Sequence, residues 1–352
     1  MSAALSLFIF WGIVLAIVLL TRRPFPAFLP DKDFTNTYKG IAMFLILYHH
    51  SRIYHGSQFW FLFGGGDAYI GVSMFFFISG FGLVRSQEKK ALGGARFLTD
   101  RMFAIVPGVI LCMLFRGAFA PLWGQPASLE TDPLTLLGLR EWFLVALFSY
   151  YLVFILCWKT GGSAFGRNVF VLSSCLLLAV GLANIQSWST MVPLWLRFPF
   201  SFALGVILSD RMEQFLDFCQ RNSAAVLILS GMTLALAFSG RIIPQVSTPW
   251  IADIAIIPLS IALCSFLYKL HLTSNALLFI GRYSLFIYLV QVPILKYGLF
   301  INAWRTDVIG LLVSWASIIM LSAGIGWMHN RLLAPWIQKL RTRPGNAARL
   351  PS

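Results

Sequence analysis

Apolar runs long enough to cross a bilayer recur from one end of the chain to the other. They lie near residues 3–21, 36–55, 68–85, 101–120, 139–158, 168–186, 191–209, 222–240, 250–268, 282–301 and 307–328. Each is about 17 to 22 residues, the length that about 30 Å of hydrocarbon demands of a helix. In lipid a backbone must satisfy its own polar groups, which leaves a helical bundle as the ordinary solution for runs of this length. The expected fold is therefore an all-α polytopic membrane protein with about eleven transmembrane helices. The stretches between runs are too short to fold alone, so no soluble domain is expected. Only 11% of the 352 residues are charged, against about 25% in a soluble protein.

The basic residues test this layout, because cytoplasmic loops collect Lys and Arg. One set of alternate loops holds Arg22, Arg23, Lys32, Lys39, Arg85, Lys89, Lys90, Arg96, Arg101, Lys159, Arg167, Arg211, Arg221, Lys269, Arg282, Arg331, Lys339, Arg341, Arg343 and Arg349, twenty of the 27. The other set holds Arg52, Arg116, Arg140, Arg197, Arg241, Lys296 and Arg305. The bias puts the N-terminus outside and the C-terminus in the cytoplasm. A net charge of +14 would suggest a nucleic-acid partner in a soluble chain. Here it reads as orientation in the bilayer, with membrane lipids as partners and no nucleic acid.

Cys112, Cys157, Cys175, Cys219 and Cys264 form no C-x-x-C pair and fall in no expected outer loop. They read as small apolar fillers, with no metal site implied. The first run, Ala4 to Leu20, lacks a basic segment before it and is followed by Arg22 and Arg23. It reads as an uncleaved helix, not a signal peptide. The stretch from Lys339 to Ser352 reads as a basic, disordered cytoplasmic tail.

The second run contains the residues that carry chemistry. It reads Lys39-Gly40-Ile41-Ala42-Met43-Phe44-Leu45-Ile46-Leu47-Tyr48-His49-His50. Ionisable side chains at bilayer depth are costly and usually face a protein or water-filled interior. At about 100° per residue, Lys39 and His50 fall within about 20° of one helix face, while His49 is turned about 100° away. At about 1.5 Å per residue they are roughly 16 Å apart, near half the hydrocarbon thickness. With Lys39 at the cytoplasmic surface, His50 lies near the midplane. For His49 a helix-to-helix hydrogen bond is the plainer reading.

Four more segments join this one in order. They are Gly71-Val72-Ser73-Met74-Phe75-Phe76-Phe77-Ile78-Ser79-Gly80-Phe81, then Phe97-Leu98-Thr99-Asp100-Arg101-Met102-Phe103-Ala104-Ile105-Val106-Pro107, then Trp142-Phe143-Leu144, then Gly281-Arg282-Tyr283-Ser284-Leu285-Phe286-Ile287-Tyr288-Leu289-Val290-Gln291. The ordered set resembles the membrane-bound acyltransferase-3 family, bacterial O-acyltransferases of cell-surface glycans and related acceptors. The family pattern has a basic residue, usually Arg, then Gly-Ile-Ala, then a His after ten intervening positions. Its spacing selects His50, as the helix-face argument does. Lys39 stands here for Arg, Ser73 for a usual Asp, Ala104 for the second of two arginines, and Gln291 for a common His. The resemblance covers roughly residues 34 to 328.

The resemblance implies a ten-helix acyltransferase core with one extra N-terminal helix. On that division residues 1–33 are the added helix and linker, 34–338 the acyltransferase domain and 339–352 the tail. It implies transfer of an acyl group, commonly acetyl, from cytoplasmic acyl-CoA to a hydroxyl of a cell-surface or lipid-linked glycan, in a bacterial inner or plasma membrane. Acyl-CoA is then a co-substrate, and no permanently bound cofactor is expected. The chemistry suits the residues. A His near neutral pKa can take a hydroxyl proton, so His50 is the expected catalytic base. Lys39 and Arg101 are the expected donor-binding cations, beside the dense basic set from Arg85 to Arg101. Gln291, nine residues past Arg282, is the expected substrate-binding side chain level with His50. Glu141, Asp67 and Asp253 fall near the outer surface, where an acceptor would approach, but are left out of the expected site. The alternative is a transporter or flippase of lipid-linked glycans, against which no inverted repeat or paired broken helix is visible.

Overall fold

The structure is a computed structural model that describes residues 3–24, 32–55, 67–89, 93–123, 141–160, 168, 171–172, 174, 199–226, 228–229, 232, 272–297, 308–336 and 339. Most of the expected spans at 168–186 and 222–240, all of 250–268, the sites Lys90 and Asp253, and nearly all of the tail lie outside those residues. The helices are α1 (Ala3–Leu20), α2 (Lys32–His55), α3 (Asp67–Lys89), α4 (Gly94–Phe119), α5 (Trp142–Thr160), α6 (Pro199–Leu208), α7 (Met212–Arg221), α8 (Asn275–Arg282), α9 (Ser284–Tyr297) and α10 (Val308–Met328). The described part is nearly all helical. Two short strands, β1 (Arg22–Pro24) and β2 (Leu272–Ser274), pair antiparallel, with Arg22 opposite Ser274.

Among the described residues, three helices are long and apolar enough to cross a membrane: Ile70–Lys89, Arg96–Phe119 and Ile309–Trp336. The pair α8 and α9 makes a fourth if taken as one span, but it is bent by 79°. The sequence reads a single run over 282–301, which begins at the bend. Ser274 caps α8, its hydroxyl accepting from the Leu277 N–H at 3.1 Å, the usual role of Ser at that position. The helix then buries only one face, through Leu277, Leu278, Ile280 and Gly281. At Tyr283 the chain leaves it and α9 begins.

The central helix is α2, and its composition explains why. Lys32, Asp33, Lys39, His49 and His50 make it the most polar of the long helices. Such a helix belongs inside protein, away from lipid. It packs against α3, α8, α9 and α10. Its 24 residues run about 36 Å, and it begins two turns before Lys39, so Lys39 stands inside the bundle and not at the helix end. By contrast α1 is apolar on all sides, touches α8 and α10, and leaves Leu15, Ile17, Leu19 and Leu20 exposed. That is the surface of a helix facing lipid.

Several motif glycines set how close these helices come. A Cβ on Gly281 would run into the Asn36 carbonyl, and one on Gly40 into the Leu277 carbonyl, so α2 and α8 meet backbone to backbone from both sides. Gly80 against the Phe202 carbonyl and Gly205 against the Phe77 carbonyl do the same for α3 and α6. Reciprocal small residues are how membrane helices gain packing where no hydrophobic driving force separates lipid from protein. Cys112, Cys157 and Cys219 are buried and form no disulfide among the described residues.

Candidate functional site in the helix bundle

The useful description of α2 is by stripes. Lys39, Ile46 and His50 fall on one, since steps of seven and four residues return to nearly the same angle. Lys39 and Ile46 line a cavity of about 170 Å³. Ser79 from α3, Phe143 and Tyr151 from α5, and Tyr288 from α9 close its other walls. At its Lys39 end the polar groups gather. Arg101 lies near enough for its charge to act on both Lys39 and the Tyr151 hydroxyl, and Tyr151 pairs with Ser79. The Arg101 guanidinium sits over the Phe97 ring, 5.3 Å from its centroid. The packing of Phe97 onto Phe154 and Tyr151 of α5 thereby holds Arg101 toward that end of the cavity.

At the other end the cavity stops one helical turn short of His50. Ile46 is four residues before His50 and Tyr288 three before Gln291, and both are wall residues. Beyond them Gln291, fully buried, is the side chain that reaches the His50 imidazole. The approach is not a closed hydrogen bond. His50 Nδ1 and both atoms of the Gln291 amide are buried without a partner at hydrogen-bond distance and angle. Buried polar atoms of this kind are uncommon and mark places where a ligand or a rearrangement completes the set. His49 stacks edge-on to His50 with centroids 5.6 Å apart and does not share the Lys39 stripe.

The structure thus brings Lys39 together with Arg101, and His50 together with Gln291. Among the described residues of the basic set, it does not bring Arg85 or Arg96 to that cluster. Arg85 forms a half-exposed pair with Glu88 at 3.7 Å, and Arg96 is exposed. Ala104, where a second arginine was the commoner residue, is exposed on α4. At the far end, Glu141 is close enough to act on Tyr288, and Arg116 on Glu141. Lys32 and Arg101 are both near enough to act on Lys39, and Arg116 lies further along α4. Tyr151, Ser79 and Tyr288 are cavity residues that the sequence reading does not single out. The available signal was a hydroxyl recurring inside apolar helices, which by itself does not say which wall it faces.

The sequence profile of the acyltransferase-3 family, described as an acyltransferase domain, matches residues 33–331. The chain belongs to the membrane-bound acyltransferase-3 family. As an acyltransferase-3 protein it is a membrane acyltransferase, and the matched region opens at the start of α2 and closes in the π-helical turn His329–Leu333. α1 lies before it. No curated protein and no solved structure matches the chain.

Proposed function

We propose that the protein moves an acyl group, most simply acetyl, from cytoplasmic acyl-CoA to a hydroxyl of a cell-surface or lipid-linked glycan, with His50 as general base. The observation that carries this reading is the stripe on α2: a cation beside a largely apolar cavity at one end and a buried His facing Gln291 at the other. His50 takes the proton from the acceptor hydroxyl as its oxygen attacks the thioester carbonyl. The C–S bond breaks, the ester forms, and the proton passes to the departing thiolate to give free CoA. Base catalysis of this kind contributes about 10²–10⁴-fold. Lys39 and Arg101 hold the anionic phosphates of the donor, as a point charge and a planar fork respectively. The cavity between them and His50 receives the pantetheine arm. Gln291 orients His50 or a substrate oxygen. Metal and permanently bound cofactor have no part in the scheme.

On this reading residues 1–33 form an added helix and linker, residues 34–338 the catalytic domain and residues 339–352 a cytoplasmic tail, in a bacterial inner or plasma membrane with the N-terminus outside. Membership of an acyltransferase family favours transfer over transport alone. The test is ester content. Surface glycans from a deletion strain, complemented with the intact gene or with His50→Ala, are compared by mass spectrometry. Esters restored by the intact gene and not by the variant are the expected result. Esters restored equally by both would remove His50 from the mechanism.

A further inference from the structure

A second stripe of α2 faces a different helix. Phe44, Leu47 and Ser51 are separated by three and four residues and so share a face. Opposite them stands Trp315 of α10. Its indole N–H donates to the Ser51 hydroxyl at 2.8 Å, and that hydroxyl donates to the Leu47 carbonyl at 2.7 Å. The Trp315 ring stacks on Phe44, 5.6 Å between centroids at 25°. Both Trp315 and Ser51 are buried, 4% and 2% exposed. Every polar hydrogen in this chain is used: the indole has one donor, and the serine hydroxyl gives one bond and receives one. Two contacts seven residues apart, one aromatic and one polar, hold α2 at both ends of two turns.

Ser51 follows His50 directly, so the contact lies about 100° around the helix from the His50 stripe. We propose that Trp315 is a positioning residue that fixes the rotation of α2 and thereby aims His50 at Gln291 and the cavity. The proposal rests on the reading of His50 as the base. The lever is short. At about 6 Å from the helix axis, a rotation of about 10° carries the imidazole about 1 Å. A misplacement of about 1 Å costs up to about 100-fold in rate. Other helices fix α2 along its length through Gly40 and Gly71, but those contacts lie nearer its beginning, away from Ser51.

The test uses the full-length protein in detergent, with acetyl-CoA as donor and a purified surface glycan as acceptor. Trp315→Phe keeps an aromatic ring against Phe44 and removes the N–H, so no buried donor is left over, but it also leaves a gap where the second ring of the indole was. Ser51→Ala removes the acceptor. The expected result for each is a fall in kcat of about 10- to 100-fold per folded molecule, with KM for both substrates within about twofold and with Trp315→Phe still folded at the assay temperature. Because both act through one bond, the double variant should lose no more than the worse single one. An unchanged kcat in a folded Trp315→Phe overturns the proposal, and so does loss of folded protein in both variants, which makes the bond structural. His50→Ala is run beside them. If it keeps full activity, the reading of His50 has failed; if it is inactive while Trp315→Phe is normal, only the positioning role has failed.

Discussion

Gln291 meets His50 in the interior of the bundle with both of its amide atoms still open. An amide that neither donates nor accepts is poor for stability and useful for binding, since it is ready to engage a substrate oxygen or an imidazolium as charge develops. Gln291→Met keeps length and removes the amide. It is expected to lower the transfer rate about 10- to 100-fold, the worth of a hydrogen bond to a charged group, without lowering the melting temperature. A fall in melting temperature with normal rate per folded molecule would assign Gln291 to packing.

The two adjacent histidines should separate cleanly. His50→Ala is expected to abolish transfer while the protein remains inserted, and His49→Ala to keep substantial activity. The reason is angular: only His50 shares the stripe of Lys39 and Ile46. Initial rates with labelled acetyl-CoA decide it, and total loss confined to His49→Ala would reverse the assignment.

At the donor end, Arg101→Ala should weaken donor use more than Lys39→Arg, which keeps a basic group beside Arg101. Arg101 bears more of the load because Ala104 offers no second guanidinium. The readout is the apparent KM for acetyl-CoA, expected to rise about tenfold or more for Arg101→Ala as one charge-assisted contact is lost. An unchanged KM would make Arg101 a topology charge.

The glycine contacts between α2 and α8 give a stability test independent of chemistry. Gly281→Ala places a Cβ against the Asn36 carbonyl, and backbone cannot step aside as a side chain can. Overpacking of this kind costs about 1–3 kcal/mol, so the melting temperature in detergent should fall. Gly82→Ala meets open space on α3 and should leave it unchanged. Equal behaviour of the two variants would contradict the close approach.

Orientation is checked by reporter fusion. Alkaline phosphatase placed after Ser352 is expected to be inactive, since the twenty of 27 basic residues in one set of alternate loops favour a cytoplasmic position for that end. An active fusion means the helix count is off by one.

Part of the architecture was legible in the sequence because the bilayer imposes length. Run lengths marked α1, α3, α4, α5 and α10 to within a few residues at most boundaries, and the 3.6-residue repeat alone put Lys39 and His50 on one face. The family followed from five short segments in order. Periodicity is a property of one helix, however, and says nothing about its neighbours. That Arg101 turns to Lys39, that Gln291 comes to His50 and that Trp315 reaches Ser51 across 264 positions were decided by packing. So was the 79° bend between α8 and α9, which lies at the start of the apolar run over 282–301. The same holds for the glycines: the sequence marks Gly40 and Gly281 as small, but only the fold, by bringing two backbones together, makes smallness a requirement.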